Sequence, residues 1–456
     1  MSKPSERIPF GTLVIYGLPA APVWFSFMLG SVFLIKYTTD VLLIAPGVMG
    51  VIYGLSRLWD AVSDPIAGYL SDGTRSRLGR RRSWLLASVL PLSAGLFLTW
   101  CPPRGLEGTG LVAWVTAGVF LFYTGTTIFH IPHESFGAEM TTDHHDRTRV
   151  FAVKTAVATL GSISALGGLA LFYRSDDPRE TAFWLVVGVS LTLALFVGIA
   201  VALLRERPEH QGRGAQSLRQ SFRDVRANPH AAPLLGAFFI ENLGMACLAV
   251  MTPFVMEYVF DMKEQTPVFI GVYFIPSLLG IPLWVWLSRR VGKRKLWLFA
   301  VALLAIAFSG LAFVQPGQEW VMYLLGFVAG IGGGCGQVVG PSIEADIIDW
   351  DELHTGERKE GAYFAVWNFM RKSAYGLAAM GSGVMLDVVG FVPNSPQSET
   401  TQFAMRALFG LAPGICYVAG FLILRRLRLD ETEHAAIRRE LDERALRAAA
   451  DGAARK

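Results

Sequence analysis

"SRLWDAVSDPIAGYLSDGTRSRLGRRRSWLL", residues 56–86, runs from an apolar segment holding Arg57, Asp60 and Asp64 into a burst of five arginines. A carboxylate in mid-membrane costs on the order of 2.5–3.5 kcal/mol, so a chain that buries two of them there uses them. The decision about the fold is therefore whether this segment spans a bilayer. The 456 residues are 52% hydrophobic and only 17% charged, with a mean hydropathy of +0.41. A soluble domain carries about 25% charge. The apolar residues also fall in twelve long blocks, at 12–35, 46–70, 84–100, 111–133, 150–173, 182–204, 232–259, 267–288, 296–314, 320–343, 360–388 and 402–424. A helix needs about 20 apolar residues to cross a hydrocarbon core of about 30 Å. The expectation is an all-α membrane protein of twelve transmembrane helices, with the quoted stretch as the second span and the loop after it.

Lysine and arginine set the orientation. With a cytoplasmic N-terminus, 31 of the 41 fall in cytoplasmic segments and four (Arg104, Arg174, Arg179 and Lys263) in outer loops. Both termini are thus expected in the cytoplasm of a multi-pass inner-membrane protein, with the polar segment 1–11 giving no cleaved signal peptide. The net charge of +4 then reflects loop anchors, and no nucleic-acid partner is expected. The four cysteines have neither a disulfide framework nor metal spacing. The chain also repeats itself. RLGRRRSWL at 77–85 matches RVGKRKLWL at 290–298, and FAV at 151–153 recurs at 364–366, both offset by 213. Two parallel six-helix halves are the arrangement expected of the major facilitator fold. The domains read as 1–204, an N-terminal bundle with a cation site; 205–230, a polar cytoplasmic linker; 231–424, a C-terminal bundle; and 425–456, a tail. The tail, DETEHAAIRRELDERALRAAA and its flanks, reads as a solvated surface helix started by Asp430 or Thr432.

On a helix Asp60 and Asp64 share one face, with Ser63 beside them. Two anions there repel in a low dielectric, and a bound Na⁺ or a proton relieves the repulsion through oxygen ligands. The competing reading is that Arg57, one turn earlier, neutralises one acid. Outside the second span, Glu134 shares a face with His130, and Glu241 with Asn242 is a candidate substrate or proton site. Glu257 is expected near the outer interface, solvated. Asp346, Asp349 and Asp351 end the tenth span and are expected to form a gating network with the arginine loops. Arg75, Arg77, Arg80, Arg81 and Arg82 are read as topology anchors and gate latches. GIGGGCGQVVG, 330–340, lacks the GK[ST] ending of a phosphate loop, and close helix packing explains it.

The second span and its following loop, with YTTD at 37–40, IPHESFGAEMTTDHHDRTR at 131–149 and ADIIDWDELHTGERKEGAYFAVWNFMRK at 345–372, resemble the glycoside–pentoside–hexuronide:cation symporters, the melibiose permease family of the major facilitator superfamily. The resemblance implies cation ligands at Asp60, Ser63, Asp64 and Thr127, with Asp60 and Asp64 holding Na⁺ if sodium is the coupling ion. It places Lys372 facing that site from the other half and Lys154 near a sugar-binding arginine. Trp24 and His130 stand where the family has sugar-binding aspartates, and Glu134, Glu241 and Trp367 complete the candidate substrate set. The expected function is Na⁺- or H⁺-coupled import of a small solute, a glycoside or related sugar, by a monomer without cofactors, through alternating access to a cavity between the halves. The alternative is a symporter of lysophospholipids or other amphiphiles, since a histidine in FHIP context also resembles the sodium-dependent lysophosphatidylcholine symporter. A remote alternative is an intramembrane prenyltransferase, for which DAVSD would hold Mg²⁺–diphosphate; it leaves the 213-residue repeat unexplained.

Overall fold

The computed structural model describes residues 8–141, 144–206, 223, 225–356, 359–427 and 431–454, and among these all regular structure is helical. The elements are α1 (Phe10–Asp40), α2 (Pro46–Gly73), α3 (Arg80–Trp100), α4 (Gly108–Glu139), α5 (His144–Arg174) and α6 (Pro178–Leu203). They continue as α7 (Ala231–Tyr258), α8 (Lys263–Ser288), α9 (Lys293–Leu311), α10 (Glu319–Thr355), α11 (Glu360–Val388), α12 (Glu399–Leu424) and α13 (Glu431–Ala454). Each of the twelve apolar blocks lies on one of α1 to α12. Ten of these helices are long and apolar enough to cross a membrane. The other two are α2 and α11, whose apolar runs are diluted by Arg57, Asp60 and Asp64, and by Arg371 and Lys372. Leu90, Leu279 and Val388 are each more than 70% exposed on their helices, which suits hydrocarbon and not water. The chain is a multi-pass membrane protein.

Contacts divide the chain into two compact units. The first holds residues 1–215, 249–268 and 375–405, and the second holds 216–248, 269–374 and 406–456. Within the first, α3 packs on α4 and α6, and α2 on α4; within the second, α9 packs on α10 and α12, and α8 on α10. The same pairing thus recurs six helices later. The matched loops agree in detail. Gly79 and Gly292, which are 213 residues apart, both precede a helix at positive φ, +107° and +94°. A side chain at either position would strain the turn.

The glycine run of α10 packs as its composition implies. A Cβ at Gly330 or Gly334 would come within 2.4 Å of the Tyr273 or Ser277 carbonyl on α8. In the first unit α2 and α11 approach as closely, and a Cβ at Gly383 would lie 2.3 Å from the Pro46 carbonyl. Gly383→Val is expected to cost about 1–3 kcal/mol by overpacking. A melting temperature equal to that of the unmodified protein would count against this contact.

At 37 residues α10 is about 55 Å long, well beyond a bilayer core. Its overhanging end meets α13. His434 Nε2 lies 3.1 Å from Asp349 and 3.4 Å from Asp346, Arg438 lies 3.5 Å from Asp349, and Arg444 donates to the Leu353 carbonyl at 2.6 Å. The tail is therefore docked, where a solvated helix was expected, because its basic face meets an acidic helix end. It starts at Glu431, so Thr432 is inside it, and Asp430 lies outside the described residues, as do positions 207–222 and 224 of the linker.

Candidate cation and substrate site

The acids of α2 sit where their helical spacing places them, and α4 completes the set. Thr127 Oγ1 donates to Asp60 Oδ1 at 2.7 Å and approaches Asp64 Oδ1 at 3.1 Å, and it lies 2.9 Å from the Ser63 hydroxyl. Two carboxylates and two hydroxyls therefore converge in a region where Asp60, Ser63 and Thr127 are all buried. Pro65, inside α2, has no N–H, so the Ala61 carbonyl loses its helical donor beside this group. The oxygen set has the hard, anionic character that a small cation needs.

Arg57 does not form the tight pair that would close the site. Its Nη1 stands 3.5 Å from Asp60 Oδ2, and its Nε and Nη1 make no hydrogen bond. The guanidinium lies instead over the rings of Phe27, at 4.9 Å, and Tyr123, at 4.8 Å. Aromatic faces stabilise a desolvated guanidinium by roughly 2 kcal/mol or more. The positive charge is thus held near Asp60 without occupying the oxygens turned toward Thr127.

The same aromatic row leads to the substrate candidates. Phe27 packs on Trp24 with centroids 5.4 Å apart, and Trp24 meets His130 edge to face at 6.0 Å. The Trp24 indole nitrogen is buried with no hydrogen-bond partner. His130 and Thr127 are one turn apart on α4, so a single helix carries a cation ligand and a substrate candidate. Glu134 pairs with Lys154 of α5, which lies over the Phe151 ring at 5.5 Å. Glu134 was grouped with His130 by spacing, and its ion-pair partner comes from α5. Next to them, the Tyr16 hydroxyl donates to the His133 carbonyl at 2.9 Å, and the His133 ring reaches the Tyr16 carbonyl at 2.8 Å, locking α1 to α4.

Trp367, Lys372 and Glu241 belong to the second unit, where Trp367 stacks on Phe238 at 3.8 Å. The loop arginines divide. Arg80 and Arg81 each reach Glu139 at 2.8 Å, and Arg81 also reaches Asp72 at 2.5 Å, while Arg75 and Arg77 are exposed. The backbone N–H groups of Arg80, Arg81 and Arg82 all donate to the Glu206 carboxylate, which caps the start of α3. Asp346 pairs with Lys293 at 2.7 Å in the second unit, so a basic loop of the repeat does meet this acidic end.

One cluster was not anticipated. Lys36, only 2% exposed, pairs with Asp40 and, at 2.5 Å, with Glu257, and its ammonium lies 4.1 Å from the Tyr258 ring centroid. Tyr258 donates to Asp40 at 2.8 Å, and the Asn394 amide donates to the Asp40 carbonyl at 2.9 Å. Glu257, expected to be solvated, is therefore an ion-pair member, and with Asp40 it helps offset the desolvation of the buried Lys36. YTTD contains Asp40, but nothing in the local sequence names its partners.

The profile of the family described as MFS/sugar transport protein matches residues 15–431. The chain belongs to this family. Among its members' relatives, the uncharacterized symporter YjmB of Bacillus subtilis is 26% identical over 96% of both chains. The glucuronide carrier protein homolog of Escherichia coli is 25% identical, covering 96% of this chain and 97% of that one. The mouse sodium-dependent lysophosphatidylcholine symporter 1 is 22% identical, covering 94% and 87%. The crystal structure of the nucleoside transporter NupG superposes with a TM-score of 0.66 at 14% identity, over 92% of this chain and 98% of that one, which shows the shared fold. This MFS/sugar transport family member is thus a transporter and not an enzyme.

Proposed function

We propose that this protein is a symporter that couples Na⁺ or H⁺ to the movement of a small organic solute, a glycoside or related sugar. The observation that carries the reading is the unbroken row from the cation oxygens to the substrate candidates: Asp60, Arg57, Phe27, Trp24 and His130, each in contact with the next. A cation bound at Asp60, Asp64, Ser63 and Thr127 offsets the acid pair while Arg57 stays on its aromatic faces. Trp24 and His130 are then held in one geometry for the solute. Differential affinity of the cation for that geometry is what couples the two gradients. Trp24 offers a flat apolar face and an unused N–H for a pyranoside ring, His130 offers a hydrogen-bonding edge, and the Glu134–Lys154 pair supplies charged groups for hydroxyls. Trp367, Lys372 and Glu241 are assigned to the same transport machinery from the C-terminal half.

The excess of lysine and arginine in alternate loops supports an orientation with both termini in the cytoplasm. The Lys36–Asp40–Glu257 cluster then faces outside, as a closed outer gate of the first unit, and α13 docks on the cytoplasmic side. The protein acts as a monomer within the bilayer.

The absence of carboxylates at positions 24 and 130 favours one second reading, an amphiphile carrier, and the lysophosphatidylcholine symporter is a relative of matching length. Proteoliposomes with an imposed Na⁺ or pH gradient separate the two. Saturable accumulation of a labelled glucuronide or glycoside, collapsed by a matching ionophore, is the expected result. Cation-driven accumulation of a labelled lysolipid alone establishes the second reading, and uptake of both that ignores every gradient overturns symport.

A further inference from the structure

The second unit buries two carboxyl groups that the cation site does not use. Glu241 on α7 is 8% exposed and Glu344 on α10 is 3% exposed, and one oxygen of each, Oε1, has no hydrogen-bond partner. Glu241 is wedged against α12, where a Cβ at Gly420 would lie 3.1 Å from that oxygen. From α9 the Trp297 indole is within hydrogen-bonding reach of the carboxyl, and from α10 the Cys335 thiol is the ionisable neighbour. No described ion pair involves Glu241 or Glu344. Asn242, the adjacent polar residue, donates to the Phe238 carbonyl of its own helix at 2.8 Å and is not a partner. The Trp297 ring beside Glu241 also borders the face of α10 that carries Glu344. A Cβ at Gly340 would lie 3.8 Å from the far edge of the Trp297 ring, and Glu344 is one turn beyond Gly340 on the same face of α10.

We propose that Glu241 is a proton-binding site of the second unit, separate from Asp60 and Asp64, with Glu344 as the carboxyl through which its proton is exchanged. Among the described residues no ion pair reaches this buried carboxylate, and a group in that position neutralises by taking a proton from hydronium. One carboxyl oxygen then accepts from the Trp297 N–H while the protonated one needs no anionic solvation. A larger cation is excluded, since one carboxyl with a single N–H donor supplies too few oxygens for Na⁺. Glu344 stands nearer the Asp346 end of α10, about 13 Å along the helix from the level of Cys335, on the side toward which the proton is exchanged.

Infrared difference spectroscopy on the full chain in lipid nanodiscs near neutral pH, exchanged from H₂O to D₂O without any solute, tests this. The protonated-carboxyl C=O band that shifts on deuteration is expected to lose a component in Glu241→Gln and a second component in Glu344→Gln. Glu241→Asp, which keeps the acid if glutamine fails to fold, is expected to retain the component at a displaced frequency. An exchange-sensitive band identical in amplitude and position in Glu241→Gln and the unmodified protein overturns the proposal, as does its complete absence from the latter. The readout needs no transport, so its failure is distinct from failure of the symport reading.

Discussion

Asp64→Asn abolishes cation-driven accumulation while leaving the protein folded. Asparagine keeps the shape of the side chain and can still meet Thr127, which lies 3.1 Å from the present carboxylate. It removes one of the two negative charges that hold the ion. At about 4 Å and an effective dielectric of about 20, one unit charge acts on another with about 4 kcal/mol. Part of this is offset by hydration of the free ion, so cation affinity is expected to fall about 100-fold. Asp60→Asn loses the same affinity and adds a folding cost, because Arg57, 3% exposed and 3.5 Å from Asp60, is left as an uncompensated buried charge. The two variants therefore separate by melting temperature and agree in transport. Gradient-driven uptake and solute exchange in proteoliposomes make the measurement. If both variants concentrate the solute as the unmodified protein does, the α2 acids are not the coupling site.

Lys36→Met loosens the contacts that the Lys36–Asp40–Glu257 cluster makes at one end of the first unit. Methionine fills much of the volume but leaves Asp40 and Glu257 facing each other without a cation. Breaking a buried pair on one side costs about 3–5 kcal/mol. The loss falls on contacts between α1, α7 and the α11–α12 loop, which can separate without unfolding any helix. The arrangement held by these contacts is expected to lose about two to three and a half powers of ten in population, since 1.4 kcal/mol is about tenfold. Spin labels at Leu43 and Val392, both exposed, report the change as a longer distance population. A distance distribution unchanged in Lys36→Met would show that the cluster does not hold this end shut. The triple variant Lys36→Met, Asp40→Asn, Glu257→Gln removes the stranded charges and recovers part of the closed population.

The sites that sequence reading located share a property. Asp60, Ser63 and Asp64 are within five residues of one another, so helical geometry alone brings them to one face. The sites it missed draw on distant positions. Glu257 lies near the outer end of its span, where solvent is the expectation, and its partner Lys36 is on α1, far away in the chain. The tail helix was read as solvated because its basic residues alternate with acids along the chain. Only the docked helix reveals that His434, Arg438 and Arg444 meet the end of α10. Glu134 and His130 are four apart on α4, and the acid also pairs with Lys154 of α5, a partner that spacing along α4 does not reveal.

Hydropathy and period are properties of contiguous chain, and they were enough to determine the twelve helices, the 213-residue repeat, the membrane class and the carboxylate pair of α2. A helix satisfies its own backbone in hydrocarbon, so its existence needs no knowledge of neighbours. What tertiary structure alone decided is which charges face which. Asp40 and Asn394 are 354 positions apart and hydrogen-bonded, and Thr127 reaches Asp60 across 67. A side chain buried in low dielectric takes its role from whichever group is within a few ångströms, and packing, not spacing along the chain, sets that distance.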